Sequence, residues 1–199
     1  MTIDGPADDD AMPDTLFPNR IVLACGFATI ALLCAATLPW PQALASTVLG
    51  TLMVAGADID ARHYLLPDAV TGGAVLAGLI AATVLDPFDR WSAFVTALTG
   101  SILVGAGLWL LRWIYQWLRQ REGIGLGDVK LAAAIGAWLP LDAVPLCFGL
   151  ASCAALVAVL LARLRDHSVE RTTRLPFGAF LCPALWLVDY VVRLQTAWY

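Results

Sequence analysis

Two aspartates interrupt a largely apolar chain where the backbone is marked to bend. Asp60 stands in Ile59-Asp60-Ala61-Arg62-His63-Tyr64-Leu65-Leu66-Pro67-Asp68, and Asp128 closes Gly123-Ile124-Gly125-Leu126-Gly127-Asp128, ahead of Val129-Lys130. An ionisable group in or beside hydrocarbon is costly, so an acid at the end of a membrane helix is a functional candidate by default. Two such acids suggest a shared carboxylate site. Neighbouring carboxylates cannot both ionise cheaply, so the pair holds one proton near neutrality. The ionised member can then deprotonate a water while the protonated one donates to a carbonyl oxygen. Such hydrolysis requires no metal, nucleotide or other cofactor.

The residues around each acid leave alternatives open. Asp58 precedes Asp60 by two positions and competes with it for the chemistry. Pro67 suits the first turn of a helix, where Asp68 either caps that helix or supports the site. Gly123, Gly125 and Gly127 allow positive φ and close approach of another backbone, as the laying of an extended peptide against the site demands. The same glycines also read as a linker, with Asp128 as N-cap of the next helix. Lys130 reads as an interface residue with an extended stem or as a supporting charge.

The elements that must position these acids are membrane helices. The chain is 60% hydrophobic and 14% charged, against about a quarter charged for soluble domains. Apolar runs predict seven spans, at 21–38, 43–57, 69–85, 91–113, 129–139, 143–162 and 177–192. The fold class expected is all-α, a polytopic transmembrane bundle. Spans 43–57 and 129–139 are short, and each abuts an Asp motif; irregular backbone at membrane depth is tolerated where it lines a protein cavity. Five acids (Asp4, Asp8, Asp9, Asp10, Asp14) crowd the start. Residues 1–18 therefore read as an acidic, disordered tail and 19–199 as one membrane-embedded domain. Cys25, Cys34, Cys147, Cys153 and Cys182 form no C-x-x-C pair and read as buried small hydrophobes. There is no nucleotide-binding glycine motif, and nucleic acid is not an expected partner.

Basic residues cluster on alternate loops: Arg20, Arg62, Arg119, Arg121, Lys130, Arg163, Arg165, Arg171 and Arg174 on one side, and Arg90 on the other. Loops rich in Lys and Arg stay in the cytoplasm, which places the N-terminus and both Asp motifs there. On dipole grounds Asp60, near a helix C-terminus, is expected to hold the proton, and Asp128, at a helix N-terminus, to be the base.

Together the motifs resemble the type IV prepilin peptidases, membrane aspartyl proteases of the GxGD type. The resemblance rests on Asp60 with Leu66-Pro67-Asp68, Glu122-Gly123, Gly125-Leu126-Gly127-Asp128 with Lys130, and Pro176-Phe177-Gly178. It implies Asp60 and Asp128 as catalytic residues, with Asp58 outside the pair. Gly125, Gly127, Lys130, Pro67, Asp68, Glu122, Phe177 and Gly178 are then the supporting or substrate-binding residues. It further implies a bacterial inner-membrane enzyme that cleaves basic leaders from prepilins or pseudopilins at the cytoplasmic face. The clustered acids of the tail would attract such leaders. The chain departs from the family in two places. It lacks the cysteine-rich cytoplasmic insertion of long members, so the resemblance carries the peptidase activity and not their N-methylation. Ala179 also replaces the usual proline after Pro-Phe-Gly. The competing readings are a proton-coupled transporter, since paired intramembrane acids also relay protons, and an inactive pilus or secretion assembly factor.

Overall fold

A computed structural model describes residues 17–120, 125–165 and 176–197. Residues 1–16 of the expected acidic tail, Arg121, Glu122, Gly123 and the arginines at 171 and 174 lie outside them. The described residues fold into α1 (Arg20–Thr37), α2 (Trp40–His63), α3 (Asp68–Leu85), α4 (Arg90–Arg119), α5 (Leu126–Trp138), α6 (Val144–Arg165) and α7 (Gly178–Ala197), with no strand among them. Five helices, α1 to α4 and α6, are long and apolar enough to cross a membrane. The protein is a multi-pass membrane bundle.

The largest departure from the expected spans is α2. It runs on past Ala57 to His63, about 36 Å in all, so it is not a short helix. Hydropathy falls at Asp58, but helicity does not, because Asp58 and Arg62 pair across one turn. Tyr64 then ends the helix in the left-handed region, at φ 54°, and returns its N–H to the Asp60 carbonyl at 2.9 Å. Pro67 stands at the N-cap of α3 rather than in its first turn, and Asp68 opens the helix. Helix α4 likewise continues past Trp113 to Arg119.

Helix α5 is short as expected, about 20 Å, and it sits inside protein. Leu131, Ala134, Ile135, Ala137 and Trp138 are buried against α3, α4 and α7. Small residues let α4 lie directly on it: a Cβ on Gly136 would meet the Gly100 carbonyl oxygen at 2.2 Å. Membrane helices without a hydrophobic drive to associate rely on such close van der Waals contact. The cysteines divide. Cys34, Cys147 and Cys182 are buried, whereas Cys25 and Cys153 face outward, against expectation. Exposure on a membrane helix carries little penalty for a small apolar side chain, because the solvent there is lipid.

Candidate active site

The site lies where the end of α2 and the starts of α3, α5 and α7 converge. Asp60 occupies the last turn of α2 and is 7% exposed. Its Oδ2 accepts the backbone N–H of Ala179 at 2.7 Å. Gly178 adjoins the same oxygen, and a Cβ there would stand only 2.8 Å from it. The first turn of a helix offers backbone donors with no intrahelical partner, and the carboxylate of Asp60 caps α7 from another helix. The Pro176-Phe177-Gly178 corner thus delivers amides to Asp60. Phe177 anchors the corner, its carbonyl accepting from Phe180 and Leu181 at 3.0 Å and its ring packing on the core.

Asp128 lies in the first turn of α5, two residues inside the helix rather than at its N-cap. Gly125 holds the N-cap position, and the Asp128 carboxyl lies beside it, Oδ2 standing 3.4 Å from where a Gly125 Cβ would be. Gly125 has φ −67°, and no described glycine has positive φ, so the glycines act by approach rather than by conformation. A Cβ on Gly127 would come within 2.9 Å of Leu66 Cβ. Leu66 also touches the positions of Gly178 and Gly56, and so packs the turn after α2 against both α5 and α7. That packing sets Gly127, next to Asp128, and Gly178, beside the Asp60 carboxylate, against one side chain, and Cys182 of α7 packs on Gly56 of α2 close by.

The remaining expected residues divide between site and scaffold. Lys130 turns away from Asp128 and pairs with Asp68, tying α5 to the start of α3 on an exposed surface. Asp58, two residues from Asp60, faces roughly the opposite way around the helix. It accepts from Arg62 and from the Asn19 amide at 2.7 Å, which joins α2 to the start of α1. The expected helix ends hold, since Asp60 is at a C-terminus and Asp128 at an N-terminus. A third helix end, that of α7, now bears on Asp60, so the two dipoles oppose each other there. Ala179 and Cys182 are the site residues that sequence reasoning missed. A backbone amide leaves no signature in side-chain type, and Ala179 stood out only as a departure from a pattern. Among the described residues no group of three or more His, Cys, Asp or Glu is placed to hold a metal ion.

A model of the type IV leader peptidase family matches residues 47–160, which hold both aspartates and every helix from α3 to α5. The chain belongs to that family. It is 37% identical over 130 residues to a Pseudomonas putida protein named prepilin leader peptidase/N-methyltransferase, covering 65% of this chain and 43% of that one. A Dickeya chrysanthemi protein of the same name is 38% identical over 151 residues, 73% of this chain and 51% of its own. An Escherichia coli type 4 prepilin-like proteins leader peptide-processing enzyme is 35% identical over 150 residues, 73% and 52% of the two chains. The chain spans about half the length of the curated relatives it matches. No solved structure matches it. The match to this leader peptidase family ends before the Pro176-Phe177-Gly178 corner, so the contact between that corner and Asp60 is a finding of the fold alone.

Proposed function

We propose that the protein is an aspartic endopeptidase that removes the leader from a prepilin or pseudopilin, with Asp60 and Asp128 as its catalytic pair. The observation that carries this reading is the convergence of the Asp60 and Asp128 turns, from α2 and α5, on the one Leu66 side chain and the start of α7. The two carboxylates share one proton as a coupled pair. The ionised member takes a proton from water, the hydroxyl attacks the scissile carbonyl, and the protonated member donates to the developing oxyanion. The tetrahedral intermediate collapses as a proton passes to the leaving amine. The Ala179 amide orients Asp60, and Leu66, packed on Gly127, fixes the approach of the turn that carries Asp128. Co-expression with a prepilin tests the reading: intact mass of the pilin should show leader removal, and an uncut pilin beside a well-expressed chain would count against it.

The active end of the bundle belongs, on this reading, at the cytoplasmic face of a bacterial inner membrane. Support comes from charge: Arg20, Arg62, Arg119 and Arg163 end or begin helices on the Asp60 side, whereas Arg90 marks the other. Reporter fusions after Arg121 should read cytoplasmic and one after Pro87 periplasmic. The reverse pattern would place the carboxylates on the wrong side of the membrane for a basic leader.

A further inference from the structure

Four helices bear on the site. Asp60 is on α2, Leu66 lies between α2 and α3, Asp128 is on α5, and the Gly178 and Ala179 amides open α7. Nearer the opposite end of the bundle three of these helices, α3, α5 and α7, are tied again by polar groups that the chemistry above leaves unused. On α7, Arg193 Nε donates to both carboxylate oxygens of Asp189 at 2.9 Å, and Asp189 is 2% exposed. The Arg193 guanidinium lies 5.5 Å from the centre of the Trp138 ring on α5. Trp138 Nε1 in turn donates to the Ala74 carbonyl of α3 at 2.7 Å. Ser46 of α2, fully buried, stands beside the Asp189 carboxylate but outside standard hydrogen-bond geometry.

A buried ion pair is weak evidence for stability, since apolar replacements of the same volume often serve as well. A charge buried within a membrane bundle is instead a candidate for function. Asp189 is about 16 Å along α7 from Gly178, too far to touch reacting atoms. What the contacts restrict is motion. Helix α5 cannot turn or slide without breaking the Trp138 bond to α3 and leaving Arg193, and α7 cannot do so without separating Arg193 from Trp138.

We propose that Asp189 and Arg193 are positioning residues for the carboxylate pair. Through Trp138 and the Ala74 carbonyl they set the rotation and depth of α5 and α7, the helices that bring Asp128 and the Ala179 amide to Asp60. The proposal rests on the reading of Asp60 and Asp128 as the catalytic pair. It is tested with the full chain in detergent and a purified prepilin, by comparing Asp189→Leu, the double variant Asp189→Leu/Arg193→Met, and Trp138→Phe. The single variant leaves a guanidinium uncompensated and should lose both thermal stability and kcat. The double variant should recover stability, because both charges are gone. Its kcat should nevertheless stay about tenfold or more below that of the unchanged protein, since small misplacements of reacting groups are costly even when the mutation is remote. KM should be unchanged. Trp138→Phe, which keeps a ring and loses the N–H, should lower kcat in the same sense. Native stability together with native kcat in the double variant would overturn the proposal and reduce the pair to a structural tie. A loss confined to KM would overturn it too. Asp60→Asn, run alongside, separates the two levels: cleavage by that variant defeats the catalytic pair, whereas a fully active double variant beside an inactive Asp60→Asn defeats positioning alone.

Discussion

Asp60→Asn and Asp128→Asn should each abolish cleavage of a co-expressed prepilin while the chain still accumulates in the membrane. Asparagine keeps the shape of the side chain, and at position 60 its carbonyl oxygen can still accept the Ala179 N–H. What it removes is the ability to exchange a proton, and general acid–base groups contribute about 100- to 10,000-fold each. Because the pair works as a unit, either loss should be nearly complete. Asp58→Asn is the control. Its partners are Arg62 and the Asn19 amide, so it should retain cleavage, and its cost should fall on stability instead. A mobility shift of the pilin on a gel reads all three. Processing by either dyad variant, or its loss only in Asp58→Asn, would move the chemistry to a different acid.

Ala179→Pro should lower kcat about ten- to hundredfold with little change in the amount of folded protein. The substitution restores the residue that the family pattern places after Pro-Phe-Gly. Position 179 is in the first turn of α7, where proline's fixed φ is accommodated and its missing N–H breaks no helical bond. The bond lost is the one to Asp60 Oδ2. An N–H accepted by a carboxylate that has given up its proton is worth about 1.5–3 kcal/mol, and that range converts to the stated loss in rate if it is expressed wholly as Asp60 donates its proton in the transition state. Ala179→Ser keeps the amide and should cleave at the native rate. Equal rates for the proline and serine variants would show that Asp60 does not need this donor.

Much of this architecture was legible in the chain because its signals are local. Apolar runs separated by Pro39, Pro87 and Pro140 predict seven helices in order, since a span depends on its own composition and not on its neighbours. Asp60 and Asp128 stood out because charge is conspicuous against hydrocarbon. Helix ends were less legible: α2 continues through Asp58, Asp60 and Arg62 because an ion pair across one turn sustains a helix whose hydropathy has already fallen. The remaining features arise between segments far apart in sequence. That Asp60 meets the amide of Ala179, that Gly127 is small for the sake of Leu66, and that Lys130 answers Asp68 and not Asp128 all follow from how α2, α3, α5 and α7 cross. The Asp189–Arg193 pair was visible as two charges one turn apart, yet its reach to Trp138 was not. Burial and backbone donors belong to the packed bundle, and only tertiary structure decides which charge faces which.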